Sequence, residues 1–134
     1  AKDINEKCAQ IEKVMPVLIE INSGEENQKA GIMPEAVVEV IKELSCLKNI
    51  KIMGLMTMGS TPYQSMADPQ DRERARNCFK KTKVIFDKIK ELDIKNVEMK
   101  YLSMGMSNSY KMAIEEGANL VRIGSKIYGK RDRK

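Results

Sequence analysis

The sequence predicts an α/β fold built on a parallel sheet, because helical spacing of apolar residues gives way repeatedly to short apolar runs of strand length. Four such runs alternate with helices, and no periodic glycine or aromatic repeat or low-complexity segment interrupts them. Right-handed crossovers then lead either to an open doubly wound sheet or to part of a (β/α)-barrel. With 134 residues, 42% of them hydrophobic, the chain reads as one domain with a core between two or three layers.

Asp3 to Val14 reads as the end of a helix, with Ile4, Cys8 and Ile11 on one face, Asp3 as N-cap and Glu6 three residues later. Pro16 introduces the first strand, Val17 to Asn22, followed by a polar loop from Ser23 to Gly31. Pro34 sits in the first turn of the next helix, whose buried stripe is Val37, Val40, Ile41 and Leu44 and which ends near Cys46 to Asn49. Lys51 to Met58 is apolar on both faces, as a parallel strand between a barrel interior and outer helices should be. A Ser-, Thr- and Pro-rich loop from Gly59 to Asp68 follows it.

Asp68-Pro69 is a helix start, N-cap then proline, and apolar spacing from Ala75 to Leu92 carries this longest helix to Asp93. A third strand is centred on Tyr101 to Met106, a short helix runs from about Asn108 to Glu116 and stops at Gly117, and a fourth strand covers Asn119 to Gly124. The strand methionines Met53, Met56, Met58, Met104 and Met106 are assigned to packing.

Composition removes several function classes. There is no histidine, and Cys8, Cys46 and Cys78 lie more than 30 residues apart, so neither a zinc site nor a Ser-His or Cys-His nucleophile pair is expected. An odd number of cysteines fits a reduced, cytoplasmic setting, and no apolar run is long enough for a membrane span. The net charge of +5 comes from 24 basic and 19 acidic residues that are interspersed, so nucleic acid is not an expected partner. The dense basic run Lys130 to Lys134 reads as a solvated, frayed terminus.

Ligands of parallel α/β folds bind beyond the C-terminal ends of strands. Two strand-end loops stand out, Gly105-Met106-Ser107-Asn108 and Ile123-Gly124-Ser125-Lys126, whose small residues let backbone N–H groups and a serine hydroxyl approach an anion. If they share one phosphate, they must lie within about 10 Å of each other. The plainer alternative is that Gly105 and Gly124 serve only tight turns or close packing.

Arg122 is the odd residue of an apolar strand; it either pairs with an acid such as Glu20 or addresses a ligand at the strand ends. Asn22 and Thr57, at their own strand ends, are rim candidates that more often satisfy loop backbone.

The runs Val17 to Asn22, Lys29-Ala30-Gly31, Gly54 to Thr57, Leu102 to Ser107, Val121 to Ser125 and Tyr128-Gly129 resemble, in order, the C-terminal motifs of the pyridoxal-phosphate homeostasis (YggS/PROSC) family. The resemblance implies that residues 1–134 form a single partial (β/α)-barrel domain: four β/α units, the C-terminal half of a fold-type III pyridoxal-phosphate-binding TIM-like barrel, similar to the N-terminal domain of alanine racemase. It also implies pyridoxal 5′-phosphate as cofactor, with Ser107, Gly124 and Ser125 on the phosphate and Arg122 facing the pyridine nitrogen.

The sequence departs from the family in two places. The family's strand bearing the lysine that forms the Schiff base belongs to an N-terminal region outside these residues, so no catalytic residue is assigned, and Lys29 reads as a solvated loop charge. Ser109 stands where the family commonly has an acid, which puts the helix cap in question.

The function implied is a non-catalytic pyridoxal-phosphate carrier or buffer in intracellular homeostasis. The alternatives are a piece of a fold-type III racemase or decarboxylase, and an RNA-binding or structural half-barrel. Four strands leave two sheet edges unpaired and an interior lacking its opposite wall, so self-association or pairing with a complementary N-terminal half is expected.

Overall fold

The computed structural model describes residues 1–26, 28–59 and 68–129. The basic run Lys130 to Lys134 and most of the loop after the second strand lie outside the described residues. In chain order the elements are α1 (Lys2–Ala9), β1 (Met15–Glu20), a 3-10 turn (Pro34–Ala36) leading into α2 (Val37–Leu44), β2 (Ile50–Met56), α3 (Pro69–Lys90), β3 (Val97–Met106), α4 (Tyr110–Glu115), β4 (Leu120–Arg122) and α5 (Ser125–Tyr128). The sheet is parallel throughout, in the order β1-β2-β3-β4. This is the α/β fold that the alternation predicts, with four β/α units in barrel order.

Local chemistry accounts for the main starts and stops. Asp68 caps α3, its Oδ1 accepting from the Gln70 N–H at 2.7 Å, and Pro69 fills the first helical position, where a missing N–H costs nothing. The expected Asp3 cap is not formed: α1 begins one residue earlier, with Ala1 at the cap, and ends at Ala9. Pro16 lies inside β1 rather than ahead of it, which an edge strand tolerates because the absent N–H faces away from the neighbour.

One face of the sheet carries the core. Ile19, Ile21, Ile52, Leu55, Leu102 and Met104 pack against Val37 and Ile41 of α2, Phe79, Phe86 and Ile89 of α3, and Met112 and Ala113 of α4. At roughly 1.5–3 kcal/mol for each large side chain fully buried, this layer is the main source of stability. Gly54 shapes the sheet where the pairing register shifts: its φ is +147°, and a Cβ there would fall 1.8 Å from the carbonyl oxygen of Tyr101.

The opposite face lacks a covering layer among the described residues. The methionines divide accordingly, which corrects their assignment to packing: Met104 is fully buried, Met53, Met56 and Met106 are half-buried, and Met58 is exposed. Apolar character alone does not say which face of the sheet a side chain takes.

The edges are unequal. On the side of β1 away from β2, Ile32 donates to Glu20 at 2.8 Å and receives from Asn22 at 2.9 Å, a single parallel bridge that closes one end of that edge. Pro16 has no donor at the other end, so Leu18 carries most of the open remainder.

Candidate functional site

The loops after β3 and β4 meet. Ser107 Oγ accepts the backbone N–H of Gly124 at 3.2 Å and that of Lys126 at 3.3 Å. Both contacts are long for N–H···O bonds. The hydroxyl keeps its own proton to donate, and both N–H groups can turn toward an anionic oxygen, which is the stronger acceptor. Ser125, exposed at the start of α5, stands between these two nitrogens in sequence.

The β3 loop is braced from beneath. Met106 N donates to Ser109 Oγ at 3.2 Å, and Ser109 N to Met106 O at 2.9 Å, closing a tight reciprocal turn. Ser109 occupies the α4 cap position without making a side-chain cap bond into the helix, because its oxygen is engaged by Met106. Arg76 of α3 reaches both Glu115 and Glu116 at the far end of α4, and these two carboxylates, Glu115 foremost, hold its guanidinium pKa above the ordinary value.

The two glycines differ in kind. Gly105 has φ +88°, and a Cβ there would meet Ala113 Cβ at 2.6 Å, so close packing of α4 on β3 accounts for it. Gly124 has φ −116° with nothing within 4 Å of a would-be Cβ. Neither a turn nor packing requires a glycine there. Open space beside two N–H groups and a hydroxyl is the chemistry that a phosphate group fits.

Arg122 lies on the uncovered face, reaching across the strand ends. Its guanidinium donates to Ser103 Oγ at 2.6 Å, Ser103 O at 3.1 Å and Thr57 O at 2.9 Å, and it lies 3.3 Å from Met58 Sδ. Among the described residues, Glu20 is not one of the partners in these contacts. Thr57 is the hub beneath: its hydroxyl pairs with that of Ser23 at 2.6 Å and accepts from Gly59 N at 3.1 Å. Asn22 exchanges two hydrogen bonds with the backbone of Glu26, so both rim candidates satisfy loop backbone.

Lys29 is not the solvated charge expected of it. Its ammonium donates to Gly59 O at 2.6 Å and pairs with Glu26 at 2.9 Å, with the side chain 18% exposed. It thereby ties the β1 loop to the β2 loop. A cleft of about 330 Å³ opens beside these strand ends, lined by Glu20, Lys29, Met58, Gly59 and Met106 among others.

Sequence reasoning missed Ser103, although a serine between Leu102 and Met104 in an apolar strand was its signal. It also passed over Lys126, whose ammonium stands 5.1 Å from the centre of the Tyr110 ring. Among the described residues no group of three or more His, Cys, Asp or Glu is placed to hold a metal ion, and no helix is long and apolar enough to cross a membrane.

Parallel β/α units with an anion-suited junction at the strand ends define a class, and the sequence profile of the family described as alanine racemase, N-terminal domain, matches residues 1–132. The chain belongs to that family. Within it, the chain is 38% identical over 131 residues to the pyridoxal phosphate homeostasis protein of Aquifex aeolicus, a match covering 98% of this chain and 54% of the relative. It is 34% identical to the protein of the same name from Helicobacter pylori strain 26695, over 96% of this chain and 52% of the relative. The resemblance seen in the motifs therefore extends over almost all 134 residues.

Among solved structures, that of an unknown protein from Bifidobacterium adolescentis superposes with a TM-score of 0.84 at 26% identity, covering 95% of this chain and 48% of the other. The chain spans about half the length of the curated relatives it matches.

Proposed function

We propose that this chain supplies the phosphate- and pyridine-nitrogen-binding part of a pyridoxal 5′-phosphate-binding barrel that acts in pyridoxal-phosphate homeostasis as a non-catalytic carrier or buffer. The observation that carries the reading is the junction of Ser107 Oγ with the N–H groups of Gly124 and Lys126, beside a glycine whose missing side chain leaves open space. The names of the relatives give the phosphate its owner.

Each residue then has a part. Ser107 donates its hydroxyl proton to a phosphate oxygen, while the N–H groups of Gly124 and Ser125 turn toward the same group. Arg122, held by Ser103 and Thr57, presents a donor toward the ring nitrogen. When bound, the cofactor's ring supplies an electron sink for carbanions. Arginine stays protonated at working pH, so it donates to that nitrogen without handing over a proton, and the sink is weakened. A site of this kind suits holding the cofactor more than turning it over.

A second reading, part of a racemase or decarboxylase, takes its support from the description of the matching family. It needs a catalytic lysine and a second base supplied from outside these 134 residues. The open sheet face and edges support association with a second copy or a complementary barrel half.

Titration of the purified protein with pyridoxal phosphate, followed by fluorescence and competed with inorganic phosphate, tests the reading. Saturable binding displaced by phosphate supports it, and no binding with the fold intact contradicts it. Steady racemisation or decarboxylation of an amino acid would favour the enzyme.

A further inference from the structure

We propose that Lys126 is a further phosphate-binding residue of this chain, its ammonium held beside the anion junction by the ring of Tyr110. The proposal rests on reading the Ser107–Gly124 junction as a phosphate site, and it adds to that site a side-chain cation that the family motifs do not assign.

The placement follows from two contacts. The Lys126 backbone nitrogen lies 3.3 Å from Ser107 Oγ, so the residue's own main chain is part of the junction. Its four-carbon stem then keeps the ammonium within roughly 6 Å of its Cα. The stem does not carry the charge away from the loops: Nζ sits over the Tyr110 ring, 5.1 Å from its centre, and Tyr110 opens the helix that follows Ser107. The β3 loop and the β4 loop are thus clasped twice, once through Ser107 and once through the stacked pair.

Two consequences follow for a ligand. Stacking on the ring restricts a side chain that otherwise loses much rotamer freedom on ordering, so the charge is already placed when an anion arrives. A phosphate monoester also brings negative charge to a junction whose other donors, among the described residues, are a hydroxyl and neutral N–H groups, while Arg122 reaches Ser103 and Thr57. Lys126 is the cation whose own backbone belongs to the junction. The ligand class is therefore phosphate monoesters and inorganic phosphate, and the contribution falls on the phosphate end of pyridoxal phosphate.

The test compares the intact protein with Lys126→Gln, Lys126→Arg and Tyr110→Leu, titrated with inorganic phosphate, pyridoxal phosphate and phosphate-free pyridoxal at low and high salt. Thermal melts report on folding. Lys126→Gln is expected to weaken both phosphate ligands about three- to tenfold at low salt, leave pyridoxal binding unchanged, and approach the parent protein as salt screens the charge. Lys126→Arg should retain most of the affinity, since arginine also stacks on aromatic faces, and Tyr110→Leu should lose part of it.

Parent-like binding of phosphate by Lys126→Gln overturns the proposal. So does a weakening that also extends to pyridoxal, ignores salt and accompanies a lowered melting temperature. If the parent protein binds neither phosphate ligand, the junction itself is not a phosphate site and the proposal falls with it. Binding by the parent with no effect of Lys126→Gln removes this proposal alone.

Discussion

Ser107 Oγ stands 3.2 Å from the backbone nitrogen of Gly124, and this contact joins the turn after β3 to the turn after β4. Replacing the hydroxyl by hydrogen removes a donor to any anion held there and frees two N–H groups that face solvent. Ser107→Ala is therefore expected to lower affinity for pyridoxal phosphate about tenfold or more, the usual cost of a hydrogen bond to a charged group. Stability should change by no more than about 1 kcal/mol, since the site is open to water. Fluorescence titration and urea melts check the two halves.

The two loop glycines should separate stability from binding. Gly105→Ala places a methyl 2.6 Å from Ala113 Cβ at a φ of +88°, and a loss of about 2–4 kcal/mol is expected from strain and overpacking together. Gly124→Ala meets nothing within 4 Å and should leave stability within about 0.5 kcal/mol, while obstructing the space in which a phosphate would sit. Paired denaturant curves and titrations distinguish them.

Glu98 offers a pH prediction away from the site. Its hydrogen bond from Lys51, and then the charge of that residue, hold its pKa below the ordinary value of 4.5. A depressed carboxyl contributes stability that is present above the unfolded-state pKa and is lost as pH falls through the lower folded-state value. Carbon-detected NMR titration should find the Glu98 midpoint below 4.5, moving back up toward it in Lys51→Met. The pair is exposed and salt should weaken it.

The sheet edges make a prediction about assembly. Among the described residues, the outer edge of β4 and the Leu18 stretch of β1 lack partners, beside a face where Met53, Met56 and Met106 are half-exposed. Light scattering at micromolar concentration should report a dimer or larger species, and a complementary barrel half should suppress it. A stable 15.2 kDa monomer with cooperative unfolding would contradict this.

Much of this was legible in the sequence, for physical reasons that differ by element. β2 is a nearly unbroken apolar run and β3 ends in one, so both were readable, whereas the start of β3, Val97-Glu98-Met99-Lys100, was missed although its apolar-polar alternation is that of a half-exposed strand. α5 is a single turn, too short for any periodicity to register. The strand-end loops drew attention because ligands of parallel α/β folds bind beyond strand ends, although Gly105 in one of them serves close packing. The contacts of Arg122 were not found, because charge counting looks for acids, whereas among the described residues the guanidinium reaches two carbonyls, a hydroxyl and a thioether. Lys29 was misplaced for a related reason: its partners, Gly59 O and Glu26, are brought together only by the packing of two loops.

The most direct measurement is an amide ¹⁵N–¹H titration of the protein with pyridoxal phosphate and, separately, inorganic phosphate. The account predicts saturable shifts at Ser107, Gly124, Ser125 and Lys126 with both ligands, and additional shifts at the guanidinium of Arg122 with pyridoxal phosphate alone. Saturable binding that leaves those four amides unmoved, with shifts clustered elsewhere, would contradict it.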